Sequence, residues 1–514
     1  MPPADTAQQD TAPGVWQLAA SESARPAIIM PGHAPVTFGE LAAATNRLSN
    51  ALRGLGVGVG DAVASLQHNG REHFEVNLAV VQIGGYFVPV NTHLAAAEIG
   101  YIVRDSGAKA LIASSDLAGS LESIADSLPE RRYVVGDPVP GWESYADLAA
   151  TAPDTPPPGR VSGWLMGYTS GTTGRPKGVR RPIIEVEPEL FIAGSARLLA
   201  GFGLFAGPGV HLACSPLYHA APGHFSLQCL HLGHTVVIHR KFDAEAVLSD
   251  IERYRVTNSQ MVPTHVHRLL RLSADVRAKH DLSSLEVLLV AGAPFPSPEK
   301  RAAIDWLGPV VWEYLAATEG IVCRVSPQEA LAHPGTVGRP DAVQLRAEDG
   351  TEAPPGEAGI IWFPSLAPFE YHNDPAKTAG AIRPDGWATV GDVGRLDADG
   401  YLYLLDRRVD LIISGGVNIY PAEIEQQLIT HPAVADVAVV GVPHQDWGQQ
   451  PVAIVQVEDG WAADDRLAAE LDAYCRSGLA SLKCPGRYEF RESLPRTQSG
   501  KLLRRVLREE LTGG

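Results

Sequence analysis

Tyr168-Thr169-Ser170-Gly171-Thr172-Thr173-Gly174-Arg175-Pro176-Lys177-Gly178 concentrates three glycines, four serine or threonine hydroxyls and two cations in one short segment. Glycines let a backbone turn its N–H groups toward an anion and approach it closely; hydroxyls donate further hydrogen bonds, and Lys177 adds a point charge. The segment therefore reads as a loop that holds a polyphosphate. Its spacing departs from the G-x-x-x-x-G-K-[ST] pattern, because Pro176 separates Arg175 from Lys177 and Gly178 follows the lysine. That disfavours an ordinary P-loop nucleoside triphosphatase. An apolar run, Val161 to Met166, leads directly into the segment. This is the order of a strand feeding a binding loop, which a plain Gly/Thr surface loop does not require.

Outward from this loop, strand-like and helix-like segments alternate. Phe38 to Leu55 carries Leu41, Ala44, Leu48 and Leu52 at helical spacing. Asp61 to Ser65 and Tyr86 to Val90 read as short strands around a helix from Glu72 to Ile83, and the rhythm recurs at Ala108 to Ala113, Thr235 to Ile238 and Val287 to Val290. Such alternation implies an α/β fold with a largely parallel sheet. The proline cluster Pro153 to Pro158 reads as an exposed connection, and Asp399-Gly400 as a hairpin turn. Near Asp406 to Asp410 a charged run marks a domain boundary. Beyond it Pro421 suits a first helical position, with Glu423 and Glu425 favourable to the helix dipole. Strands at Val434 to Val440 and Val452 to Val457 and a helix through Leu467, Leu471 and Tyr474 complete a small α+β unit.

A chain of 514 residues exceeds what one compact core supports, so at least two domains are expected. The formal net charge of −17 repels a nucleic-acid backbone and points to small-molecule partners. Met1 to Thr11 is polar and lacks the basic-then-apolar order of a signal peptide, and the apolar run Leu198 to Val210 is too short to span a bilayer. A cytoplasmic protein without stable membrane insertion is the expectation. Five scattered cysteines without C-x-x-C spacing fit reduced thiols in a core.

Further motifs follow the loop in a fixed order. They are Tyr314-Leu315-Ala316-Ala317-Thr318-Glu319, Gly386-Trp387 with Gly391-Asp392, Asp406-Arg407, Ser414-Gly415-Gly416-Val417-Asn418-Ile419-Tyr420-Pro421, and Pro495-Arg496-Thr497-Gln498-Ser499-Gly500-Lys501. From about Phe38 to Arg505 the chain resembles the adenylate-forming superfamily of acyl-CoA synthetases, nonribosomal-peptide adenylation domains and luciferases. The resemblance implies a large N-terminal domain of layered α/β subdomains, residues 1–406, and a small mobile α+β C-terminal domain, residues 407–514, carrying the catalytic lysine. It also implies a two-step reaction. ATP and a carboxylate give an acyl-adenylate and pyrophosphate, and a nucleophile then displaces AMP. A carboxylate attacking an α-phosphate needs alignment and charge neutralisation rather than a general base.

Under that resemblance, Thr169, Ser170, Gly171, Thr172, Thr173 and Gly174 cradle the β- and γ-phosphates, with Lys177 beside them. Glu319, next to Thr318, is the expected ligand of Mg2+, a hard cation that prefers oxygen. Asp392 accepts hydrogen bonds from the ribose hydroxyls, and Arg407 reaches the ribose or phosphate side. Lys501 neutralises charge growing between the carboxylate and the α-phosphate. His219, Ala220, Leu315, Ala316 and Ala317 are expected to line the acyl pocket, His219 without acid/base duty. Ser414, Gly415, Gly416 and Asn418 face the channel that admits CoA or another acceptor. Small residues at 220, 221, 223, 316 and 317 imply room for a bulky acid.

Two departures stand out. Leu315-Ala316 replaces the usual Tyr-Gly, so no adenine-stacking residue is assigned, and Val409 stands at the interdomain hinge where the family often has Asp or Lys. The leading expectation is a carboxylate–CoA ligase; an amide synthetase or a loader of an external carrier protein shares the first half-reaction. A sensor that merely binds an adenylate has no need of a lysine at the α-phosphate.

Overall fold

The computed structural model describes residues 12–169, 176–347, 349–354, 356–365, 367–407, 410–414, 417–445, 447–496 and 502–512, without the side chains of residues 194, 195, 406, 407, 417, 418 and 482. The chain divides into two compact units. The first is formed by Met1–Met261, Arg268–Leu289 and Leu366–Gly380, and the second by Val262–His267, Val290–Ser365 and Ala381–Gly514.

In the first unit a six-stranded sheet runs Glu143–Ser144, Arg131–Val135, Ala108–Ser114, Ala62–Leu66, Tyr86–Pro89, Trp164–Leu165, with every pairing parallel. Side chains alternate between two apolar clusters. Ala62, Ala64, Leu66, Tyr86 and Val88 join one; Val63, Phe87, Ala110 and Ile112 join the other. Because both faces are covered, the strand Ala62–Leu66 is buried at every position, as expected of a parallel sheet flanked by helices. Helix Phe38–Gly54 starts from a capping box in which Thr37 accepts from the Glu40 N–H and Glu40 accepts from the Thr37 N–H. Its buried face carries Leu41, Leu48 and Leu52 as the spacing predicts, with Ala42 and Thr45 in place of the partly exposed Ala44. The proline segment is tied to this helix: Asn46, Asn50 and Arg53 donate to carbonyls of Pro153, Asp154, Thr155, Pro158 and Gly159.

A second sheet of this unit orders its strands Val287–Val290, Asn258–Met261, Val210–Ala213, Thr235–Ile238, Pro26–Ile29, Val36–Thr37. Its strand Asn258–Met261 is polar yet wholly buried. A hydrogen-bonded chain satisfies the side chain of Asn258: His211 Nδ1 donates to Asn258 Oδ1 at 2.6 Å, Asn258 Nδ2 donates to His234 Nδ1 at 3.0 Å, and His234 Nε2 donates to the Phe205 carbonyl at 2.9 Å. Ser226 lies 3.0 Å from His211 Nε2. Both rings are thereby held as neutral tautomers.

Burial pushes His73 and His231 down to about 3, and His211 and His224 down to about 4. An unfolded imidazole titrates near 6.5. Above that pH both states are neutral and no stability is lost; as pH falls below it, the unfolded chain takes up protons that the folded chain refuses until about pH 4. Each such histidine therefore removes up to about 1.4 kcal/mol per pH unit in that window. The expected result is a steep loss of stability between pH 6.5 and 5, read as a lower urea midpoint at pH 5 for the transition that exposes the first unit's buried histidines. Equal midpoints at pH 7 and pH 5 would contradict it.

The second unit contains the antiparallel hairpin Val311–Ala317/Gly320–Val325 and a sheet in which Asp392–Leu396 pairs with Leu402–Arg407 through the turn at Gly400, whose φ is +83°. Toward the C-terminus, Val434–His444 and Gly448–Val457 form a long antiparallel pair, with Arg487–Arg491 parallel beside it. Helices Pro421–Leu428 and Asp465–Gly478 pack Ile424, Leu428, Leu467 and Leu471 on this sheet. The other face is closed by Leu494 and by Leu507 of helix Arg504–Thr512. All five cysteines are buried and free. Among the described residues no helix is long and apolar enough to cross a membrane.

Candidate active site

Thr169 and Lys177 are directly opposed in an antiparallel ladder formed by Gly167–Thr169, Lys177–Arg180 and Glu370–Tyr371. The glycine segment thus leaves and returns at one paired position. Gly178, facing Tyr168, leaves little space for a side chain, since a Cβ there would stand 3.0 Å from the Tyr168 ring. The ring lies across it, and Tyr168 Oη donates to Asp105 Oδ2 at 2.7 Å. Lys177 Nζ is 2.8 Å from Asp374 Oδ2. That ion pair raises the lysine above its usual range and holds Asp374 below its own. Ser170, Gly171, Thr172, Thr173 and Gly174 lie outside the described residues.

His219 occupies the N-cap position of helix Ala220–Leu232 without capping it through its side chain. Its Nε2 is buried and has no hydrogen-bond partner among the described residues. Burial, with His93 nearby, pushes it down to about 4, so the ring is neutral at pH 7. Ala220 opens the helix and is half-buried. One turn on, a Cβ at Gly223 would come within 2.4 Å of the Leu217 carbonyl oxygen and 3.7 Å of His73 Nε2, a second buried nitrogen without a hydrogen-bond partner among the described residues. His73 carries no signal in the sequence; it reads as one residue of an amphipathic helix.

In the second unit, Leu315, Ala316 and Ala317 end the strand Val311–Ala317, each half-buried, and a register shift falls between Leu315 and Ala316. Thr318 and Glu319 make the turn to Gly320–Val325, and Glu319 is only 6 % exposed. Gly320 admits the edge of the Phe363 ring, 3.2 Å from where a Cβ would stand. Asp392, 7 % exposed, begins the strand Asp392–Leu396 after Gly391, whose φ is +82°. Its direct cross-strand partner is Arg407, so two residues fifteen positions apart occupy one rung of a ladder. The side chain of Arg407 lies outside the described residues.

Ser414 ends the strand Ile412–Ser414, opposed to Val417 and to Gly448. Gly415, Gly416, Val409 and the side chain of Asn418 are not among the described residues, and neither is Lys501. The segment carrying Lys501 is closed at its foot by a bridge between Arg496 and Leu502. Arg496 makes a two-pronged pair with Asp436 at 2.7 and 2.6 Å, and Arg504 pairs with Glu425 at 2.6 Å.

Fold and motifs together define an α/β ligase of the nucleotide-dependent, carboxylate-activating class. Residues 15–367 match the family model for AMP-binding enzymes and residues 423–501 match the model for the C-terminal domain of those enzymes, and the chain belongs to this family. It is 36 % identical over 491 residues to a feruloyl-CoA synthase from Amycolatopsis sp, covering 93 % of this chain and 94 % of that protein. The amide bond synthetase McbA from Marinactinospora thermotolerans matches at a TM-score of 0.82 with 29 % identity, over 95 % of this chain and 97 % of that one. The o-succinylbenzoate CoA synthetase of Bacillus subtilis, in complex with its acyl-adenylate intermediate, matches at 0.82 and 29 % over 96 % and 97 %.

Proposed function

We propose that this enzyme uses ATP to convert a bulky, aromatic carboxylic acid into its acyl-adenylate, releasing pyrophosphate, and then transfers the acyl group to CoA. Similarity to CoA ligases across more than nine-tenths of the chain carries this reading. The aromatic acid is inferred from the feruloyl and succinylbenzoate relatives together with the small residues at 220, 221, 223, 316 and 317.

The groups present fit the nucleotide. Lys177 and the amides and hydroxyls of Thr169 to Gly174 would hold the β- and γ-phosphates, Asp392 the ribose hydroxyls, and Arg407 the ribose or phosphate side. Glu319, a buried carboxylate beside Thr318, offers the hard oxygen that Mg2+ requires, and Mg2+ would neutralise phosphate charge. Lys501 would stabilise charge developing between the acid and the α-phosphate. A neutral His219 with Ala220, Leu315, Ala316 and Ala317 would shape the acyl pocket, and Ser414, Gly415, Gly416 and Asn418 the acceptor channel. The mobile small domain would begin at Arg407, and the protein would work in the cytoplasm.

A second reading, transfer to an amine, is favoured by one observation, the likeness to McbA. Incubation with ATP, Mg2+ and acetate, hexanoate, benzoate or ferulate, followed by CoA or a primary amine and mass spectrometry, separates them. The expected product is an aryl-CoA thioester. An amide with no thioester would overturn the CoA assignment, and turnover of acetate alone would overturn the bulky pocket.

A further inference from the structure

The Lys177 ammonium already has an anionic partner of its own, Asp374, and the chain positions that partner by several independent contacts. Asp374 follows Asn373, a non-glycine residue at a φ of +57°. Asn373 Nδ2 donates to the Asp105 carbonyl at 3.2 Å, and His372 Nε2 donates to the same carbonyl at 2.9 Å. The His372 N–H donates to the Gly178 carbonyl at 2.8 Å, so the Asp374 segment is stitched to the residue after Lys177. Asp374 Oδ1 accepts the Lys377 N–H at 3.0 Å in the first turn of helix Pro375–Ala381, while its Oδ2 faces Lys177 at 2.8 Å. One carboxylate oxygen caps a helix; the other neutralises a lysine at the foot of a phosphate loop. Asp105 adds to the negative field on Lys177, and Lys377, whose ammonium sits 4.0 Å over the Tyr371 ring, adds to the positive field on Asp374.

We propose that Asp374 is a built-in counter-ion for Lys177 that nucleotide polyphosphate must displace, so that it weakens the hold on ATP and on departing pyrophosphate without touching AMP. This rests on the adenylation reading above. An ammonium with three donors can turn from carboxylate to phosphate without moving its backbone. The fixed carboxylate repels the incoming polyanion at the same time. In an enzyme that must let pyrophosphate go, such a competitor keeps the anion from being held too tightly.

Asp374→Asn removes the charge and keeps an acceptor for the helix cap, which asparagine serves as well as aspartate. In calorimetric titrations at low ionic strength, the variant should bind ATP and inorganic pyrophosphate about three- to tenfold more tightly, the gain shrinking as salt rises. AMP affinity should stay within about twofold of wild type. Asp374→Ser, a capping residue too short to reach Lys177, should behave alike, and neither change should matter in a Lys177→Met background. Unchanged or weaker ATP binding in both Asp374 variants, or tighter binding that persists with Lys177→Met, would overturn the inference. Wild-type protein that binds neither ATP nor AMP would instead sink the adenylation reading on which it stands.

Discussion

Lys501→Ala should slow acid-dependent pyrophosphate exchange by about 10²-fold or more, with little change in the ATP concentration needed for half-saturation. The reason is that the lysine acts where charge develops rather than where the nucleotide is held, and removing one such contact costs about 3 kcal/mol of barrier. The flanks of its segment are secured without it. The Arg496–Leu502 bridge, the Arg496–Asp436 pair and the Arg504–Glu425 pair all survive the substitution, so a folded protein is expected. Transfer from chemically supplied acyl-adenylate to CoA provides the second readout. It should retain most of its rate, because no phosphate oxygen gains charge from an attacking carboxylate in that step. Exchange at the wild-type rate would contradict the role given to Lys501.

Asp392→Ala should weaken ATP and AMP binding alike by about 10²-fold. A buried carboxylate that accepts from two ribose hydroxyls contributes roughly 1.5 to 3 kcal/mol through each charged hydrogen bond, partly offset by its own desolvation. Both nucleotides carry the ribose, so both lose the contact. The pattern differs from that expected at Asp374, where only the polyphosphate is sensed. Nucleotides lacking the 2′- or 3′-hydroxyl give the sharper check. They should bind poorly to wild type and no worse than ATP to Asp392→Ala. A deoxy penalty that persists in the variant would place the ribose elsewhere.

Much of the fold was legible because each layer has a local cause. Parallel strands covered on both faces spell continuous apolar runs, as in Tyr86–Pro89, and Pro421 does open a helix, Pro421–Leu428. Asp399-Gly400 does turn a hairpin, because Gly400 takes the positive φ that the turn needs. The strand Asn258–Met261 was not legible. Asn-Ser-Gln-Met carries one apolar residue and no alternation, and its buried Asn258 is accommodated by accepting from His211 and donating to His234, residues far from it in sequence.

For the site, composition alone points to Thr169 and Lys177, since glycines, hydroxyls and a cation in one short string suit a polyphosphate, whereas Glu319 and Asp392 stand out only through the resemblance that the order of the motifs carries. Their surroundings left no such trace. Asp374 stands nearly two hundred residues from Lys177, and the ladder joining Lys177–Arg180 to Glu370–Tyr371, with the bond from the His372 N–H to the Gly178 carbonyl, brings it beside the lysine. The cross-strand rung shared by Asp392 and Arg407 is likewise a matter of register, which depends on the Gly400 turn and the shift between Val393 and Gly394. Register is set by pairing, and no single motif encodes it.

Exchange of labelled pyrophosphate into ATP by the wild-type enzyme, measured with and without ferulate and in the absence of CoA, tests the central claim most directly. Adenylation predicts exchange that appears only when the acid and Mg2+ are both present. No exchange with any acid of the panel, while ATP still binds, or release of orthophosphate in its place, would contradict it.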